Sequence, residues 1–292
     1  MTVAGSNPET IEAASLLREG VDGFARNRVA LVGLAFIIAL IVVATFLPWI
    51  SPHDPYRVAL DEQFLPPSWT FWLGTDNFGR DVLTRILYGA RISLLVGTIP
   101  SLISLVIGAA MGILSGYIGG KTDAIIMRVA DMMIAFPSLL LAMVVMYTLG
   151  PNLLNIFFAL ALVGWASVAR VVRSQTLALK GKEFIEAARA NGTSRLTIML
   201  KHIFPNVIPS LIVLFSLSIP DAIMWESSLS FLGVGVQPPE ASWGLLVAKG
   251  REYLLQSPIV AIAPGGAILL TVLAFNFIGD GLRDALDPSM KD

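Results

Sequence analysis

The sequence predicts an all-α, polytopic membrane protein with six transmembrane helices, and three observations carry the prediction. Of 292 residues, 55% are hydrophobic and only 14% charged, with a mean hydropathy of +0.74; an ordinary soluble domain has roughly 25% charged residues. Charge-free stretches recur at the length of about 20 residues that a helix needs to cross a bilayer. The breaks between them fall at glycine, proline and asparagine, residues that end helices.

The first span runs from Val29 to about Ile50. Arg18, Arg26 and Arg28 precede it, and it closes on Phe46-Leu47-Pro48-Trp49 rather than on a small-residue cleavage site, which marks an anchor rather than a signal peptide. The second, about Ile92 to Tyr117, carries Gly108, Gly112 and Gly116 at every fourth position, a smooth stripe suited to close helix packing. Between Met132 and Ala169 there is no charge, a run too long for one crossing, and Gly150-Pro151-Asn152 breaks it into a helical hairpin. The fifth span, about Ile203 to Met224, holds Pro205, Pro209 and Pro220, tolerated where neighbouring helices satisfy the freed carbonyls. The sixth is about Ile259 to Ile278.

Charge placement orients these spans. Lys121, Arg128, Arg170, Arg173, Lys180, Lys182, Arg189, Arg195, Lys201, Arg283 and Lys291 fall with the N-terminal arginines on one side, which the positive-inside rule makes cytoplasmic, so both termini are expected there. The opposite side receives the acidic, proline-rich loop from Ser51 to about Tyr88, the turn at Pro151 and the segment from Trp225 to Pro258. A net charge of -1 supplies no basic field for nucleic acid. With no cysteine, and with His53 and His202 outside any H-x-x-x-H pair, thiolate chemistry and a zinc protease lack their ligands.

The cytoplasmic loop, about residues 174 to 202, is the most informative segment. Gly181 to Gly192 reads as a short helix of good formers ended by a glycine suited to a left-handed cap, with a second helix restarting at Ser194. Phe184 and Ala188, one turn apart beside Ile185, form an apolar ridge flanked by Glu183, Glu186 and Arg189. Periodicity leaves two uses open, a helix lying on lipid and a helix docking a protein.

Glu186-Ala187-Ala188, then Gly192, then Phe204-Pro205, resemble the EAA signature of ABC importer permeases, with His202 and Phe204 where the family usually has isoleucine and leucine. Leu73-Gly-Thr-Asp-Asn-Phe-Gly-Arg-Asp-Val-Leu-Thr-Arg85, followed by Tyr88-Gly-Ala-Arg-Ile-Ser93, resembles the segment before the second span in the C-type permeases of dipeptide, oligopeptide and nickel importers. Ser230 to Pro239 and Ser242-Trp243-Gly244 resemble that branch's last outer loop. The resemblance implies a cytoplasmic leader over 1–28, a first helix with a short accessory segment over 29–87, and a type I ABC importer permease domain over 88–292. It implies that Phe184, Ile185, Glu186, Ala187, Ala188, Arg189 and Gly192 form a coupling helix docked on an ATPase. It also implies that Glu226, Phe231, Gln237, Pro238 and Trp243 belong to an outer gate or docking ledge. Its implied partners are a homologous B-type permease, two cytoplasmic ATPases that hold ATP and Mg2+, an extracytoplasmic binding protein and a peptide cargo, in the lipid of a bacterial cytoplasmic membrane. No cofactor or metal is expected in this chain.

Several residues suggest chemistry that their setting does not support. Gly119-Gly120-Lys121-Thr122 imitates the end of a phosphate-binding loop, but Ser115 stands where its first glycine is required and an apolar span precedes it. Asn191-Gly192-Thr193 is a glycosylation sequon inside a cytoplasmic turn. Asp131 is read as an ion pair with Arg128 rather than a coupling-ion site. His202 is read as a helix-end residue. Asp221 and Glu226 either line a substrate path or sit solvated at the outer surface, and the sequence does not choose. A secondary transporter would show inverted halves with midplane charges, and an intramembrane hydrolase a Ser/His or metal constellation; the spans offer neither.

Overall fold

The structure, a computed structural model, describes residues 23–51 and 53–286. The leader up to residue 22 with its Arg18, and the tail with Lys291, lie outside the described residues. Helix α1 (Arg28–Ile50) is capped by Asn27, whose Oδ1 accepts from the Val29 and Ala30 N–H groups. It lies against α9 (Ile259–Leu286), where a Cβ on Gly33 would come within 2.7 Å of the Ala274 carbonyl. Its outer end is tied to α2 (Val82–Ile118) by Arg91, whose Nη2 donates to the Thr45 carbonyl at 2.9 Å.

Helix α2 begins ten residues before the expected span, at the Asp81 cap, and has 37 residues, so it is about 55 Å long against a hydrocarbon core of about 30 Å. Hydropathy saw its apolar middle and missed its polar outer third. It packs along α5 (Leu153–Lys180) through the glycine stripe. A Cβ on Gly108 would lie 2.6 Å from Val168 Cβ, on Gly112 2.6 Å from the Ala169 carbonyl, and on Gly116 2.7 Å from Thr176 Cβ. Ser104 extends the seam by donating to the Ala161 carbonyl at 3.1 Å.

The third crossing is not one rod. Helices α3 (Gly120–Ala135) and α4 (Ser138–Leu149) meet at 91°. Pro137 supplies no N–H and pushes Phe136 into extended backbone, at φ -79 and ψ 140. The hairpin turn at Gly150-Pro151-Asn152 is present, with Asn152 capping α5 through the Leu154 N–H. Among the described residues five helices are long and apolar enough to cross a membrane, and the count reaches six when the bent pair serves as one crossing.

After the short helix α6 (Glu183–Ala190), α7 runs from Arg195 to Phe231 with a π-helical stretch at Ile198–Ile203. Pro205 has no N–H for the Lys201 carbonyl, and at the end of the stretch the Phe204 N–H reaches five residues back to Met199. Helix α8 (Trp243–Gly250) then lies across the outer ends of α2, α7 and α9.

Candidate functional site

At the end of the body that the sequence assigns to the cytoplasm, α6 divides its residues between two faces. Ile185 is fully buried and Ala188 is 9% exposed, packed among Tyr117 of α2, Val172 of α5 and Ile198 and Met199 of α7. Phe184, Glu186 and Ala187 are exposed. The expected ridge is therefore split: Ile185 and Ala188 hold the helix to its own domain, and Phe184 alone stays outward. Arg189 turns back, its guanidinium 5.2 Å from the Tyr117 ring. The helix ends in a Schellman turn, with the Thr193 N–H on the Ala188 carbonyl at 3.1 Å and the Gly192 N–H on Arg189 at 3.0 Å. Gly192 has φ +74 and no atom within 4 Å of where a Cβ would sit, so the glycine answers a backbone requirement and not a packing one.

Two ion pairs beside this end were not anticipated. Arg173 of α5 meets Asp123 of α3 with both forks, Nη2 to Oδ2 at 2.6 Å. Asp131 pairs with Arg170 across helices at 2.8 Å, not with Arg128 on its own helix. The pairing follows the α3–α5 contact, which sequence spacing does not display. The Gly119-Gly120 pair is a turn between two helices, and Lys121 lies in the first turn of α3, not in a nucleotide loop.

The outer end is a knot of buried polar groups. Asp76 accepts from the Phe78 and Arg80 N–H groups at 2.8 and 3.0 Å and binds the Arg80 guanidinium at 2.7 Å. Gly79, at φ +72, presses on the Ala59 carbonyl, where any Cβ would collide. Asp81 caps α2 through the Thr84 N–H, and the buried Arg85 donates to the Pro55 carbonyl at 2.9 Å. The motif between Leu73 and Arg85 thus ties the accessory segment to the head of α2.

Glu226 and Trp243 form the second half of the knot. Glu226 is 1% exposed and accepts from Ser230 at 2.6 Å and Ser242 at 2.8 Å through Oε1. Trp243 is fully buried; its backbone N–H donates to Ser93 Oγ at 3.0 Å and its indole N–H to the Ile86 carbonyl at 2.8 Å. Neither side chain is exposed on this chain, which removes the solvated alternative for Glu226. Ser93 and Ser242, separated by 149 positions, carry no signal of this in the sequence. Phe231 and Pro238 remain exposed; Gln237, partly exposed, ties its own turn by donating to the Gly235 carbonyl at 3.0 Å. Phe231 carries the Arg251 guanidinium 4.1 Å above its ring. Asp221, on α7, is exposed and faces a cleft between α2, α5 and α7.

Among the described residues no group of three or more acidic or histidine side chains is arranged to hold a metal. The arrangement is a helical body with buried polar groups capping one end and an exposed face of α6 at the other.

Comparison with known proteins agrees with that architecture. The model for binding-protein-dependent transport system inner membrane components matches residues 108–292, and the model for the N-terminal transmembrane domain of oligopeptide transport permease C matches residues 15–67. The di/tripeptide permease DppC of Pseudomonas aeruginosa is 42% identical, with 95% of this chain and 94% of that protein covered. The oligopeptide permease OppC of Bacillus subtilis is 40% identical, with 96% and 92% covered. The glutathione permease GsiD of Escherichia coli is 45% identical, with 92% and 89% covered. A solved inward-facing structure of the MetNI methionine ABC transporter shares the fold with a TM-score of 0.58 at 17% identity, covering 70% of this chain and 96% of that one.

The relatives are permease subunits rather than enzymes, and the family works in a multi-pass arrangement in the inner membrane with ATPase and substrate-binding partners. Both ends of the sequence and its whole helical body therefore lead to one assignment: the chain belongs to the inner membrane components of binding-protein-dependent ABC importers, in the C-type branch of the oligopeptide and dipeptide permeases.

Proposed function

We propose that this chain is one half of the membrane path of a peptide importer, paired with a homologous B-type permease. An extracytoplasmic binding protein delivers the peptide, and two cytoplasmic ATPases bind ATP and Mg2+. ATP closes the ATPase pair, α6 moves with it, and the helices switch between inward-facing and outward-facing arrangements as rigid bodies. Both termini lie in the cytoplasm. The single observation that carries the coupling role is the division of α6, where Ile185 and Ala188 lock the helix to α2, α5 and α7 while Phe184, Glu186 and Ala187 stay outside. A load applied to that outer face passes to Tyr117 at the end of α2 and to the π stretch of α7.

Peptide cargo is supported by the di/tripeptide and oligopeptide names of similar permeases. Glutathione, itself a small peptide, is the second reading, favoured by the 45% identity to a glutathione permease. Uptake of labelled dipeptide, oligopeptide and glutathione by cells expressing the importer separates the two.

The coupling test is Glu186→Lys. Its side chain is exposed, so membrane abundance should stay normal. Reversing a charge in a docked interface costs about 2 to 5 kcal/mol, so ATPase recovered on co-purification should fall more than tenfold, with peptide uptake. Normal recovery and uptake would return α6 to the lipid-surface reading. Orientation is tested by a cysteine at the exposed Glu240 of this cysteine-free chain, which should label from outside intact cells. Labelling only after lysis would reverse the topology.

A further inference from the structure

Two carboxylates stand five residues apart on α7 and have opposite surroundings. Glu226 is sealed by two serine hydroxyls. Asp221 has no hydrogen bond and no ion pair among the described residues, and it borders a cleft of 380 Å³, within the roughly 300–1,000 Å³ of ligand pockets.

The cleft lies within the apolar spans, toward their outer ends. Gly97 of α2 packs between Ile219 and Ile223, 3.0 Å from each if it bore a Cβ, so Asp221 is level with Gly97. That level is about 22 Å from the outer start of α2 and about 32 Å from its other end. A carboxylate inside a span is disfavoured toward lipid, so it faces water, cargo or protein.

The polar groups in the otherwise apolar lining around Asp221 can accept hydrogen bonds. Ser101 spends its proton on the Gly97 carbonyl at 2.6 Å and Ser218 on the Phe215 carbonyl at 2.9 Å, which leaves their lone pairs toward the cleft. Ser138 and Ser167 add hydroxyls, Trp225 an aromatic wall, and no basic residue lines the cleft. A primary ammonium, with three donors and a positive charge, complements this set.

We propose that Asp221 and the serine-lined cleft form a subsite in the translocation path for the cationic amino terminus of the moving peptide. The inference rests on the peptide reading above and adds where the cargo's charge is held while it crosses.

The test uses the complete importer in proteoliposomes, with Ser167→Cys as the only thiol of this chain. An ammonium-bearing and a sulfonate-bearing thiosulfonate are compared, each rate divided by its rate with a free thiol. The ammonium reagent should label at least about tenfold faster, Asp221→Asn should abolish the preference, and Asp221→Glu should keep it. In the chain without the reporter, Asp221→Asn should lower uptake of a free-amine tripeptide about tenfold at limiting concentration, with normal membrane abundance, and Asp221→Glu should restore most of it. Equal labelling by both reagents, no labelling in any transport state, or normal uptake by the Asn variant would overturn the subsite. Failure of the unmutated importer to accumulate any tripeptide would instead sink the peptide reading, while the labelling preference still decides whether the cleft receives cations.

Discussion

The two ends of this permease handle polar groups in opposite ways. At the outer end Asp76, Asp81, Arg85, Glu226 and Ser242 are nearly inaccessible and bonded to one another's helices and loops. At the cytoplasmic end Glu186, Asp131 and Arg170 stand in solvent, and α6 is held by Ile185, Ala188 and a glycine turn. Buried, hydrogen-bonded polar groups rigidify, whereas exposed ones contribute little to stability and stay available to partners. One end thus keeps its polar groups inside this chain, and the other leaves them, with the outward side of α6, at the surface.

Mutations that respect this contrast should differ in what they damage. The largest loss should come from Trp243→Ala at the outer knot, where deleting a fully buried tryptophan costs about 3 to 5 kcal/mol and leaves the Ile86 carbonyl without its indole donor. The melting point of the detergent-solubilised protein should drop and membrane abundance fall with it; an unchanged melting point would break the idea of a load-carrying cap. Next comes Gly112→Ala in the shaft that joins the two ends, where the added methyl lies 2.6 Å from the Ala169 carbonyl. Overpacking of this kind costs about 1 to 3 kcal/mol and should lower the melting point by a smaller step. Gly192→Val should follow. It meets no neighbour, so only the left-handed backbone resists, at about 1 to 2 kcal/mol, and ATPase recovery should suffer while the melting point falls by a smaller step than for Gly112→Ala. Glu186→Lys should leave the fold within about 0.5 kcal/mol of the unmutated protein and act only on assembly. If the last two lowered the melting point as much as Trp243→Ala, the two ends would not differ in the way described.

The sequence displayed what depends on local periodicity. Gly108, Gly112 and Gly116 repeat at four residues and lie on the face that meets α5, and Gly192 stands where a helix ends. What it concealed depends on distant neighbours or on a single residue within an apolar run. Pro137 sits in a charge-free stretch that hydropathy averages into one crossing, yet its missing N–H turns the chain by 91°. Glu226 draws one partner from the next turn and another from a separate helix, so its burial has no local mark. Ile185 and Phe184 are adjacent and both apolar, and only the packing of Tyr117 and Ile198 decides which one is left for a partner.

The elbow at Phe136-Pro137 has a consequence for the life of the protein in a cell. Helix α4 has twelve residues, about 18 Å, too short to cross a bilayer unaided, so if the bent pair is one crossing its break falls inside the hydrocarbon region. Interrupted backbone at that depth is tolerated only when covered by protein or water. If the chain pairs with a second permease as proposed, a copy made without it would present the elbow, the nearly bare Tyr147 and the Asp221 carboxylate to lipid, as an orphan for membrane proteases to remove. Synthesis of the two permeases in equal numbers would then set how many importers the membrane holds, whatever the supply of ATPase or binding protein.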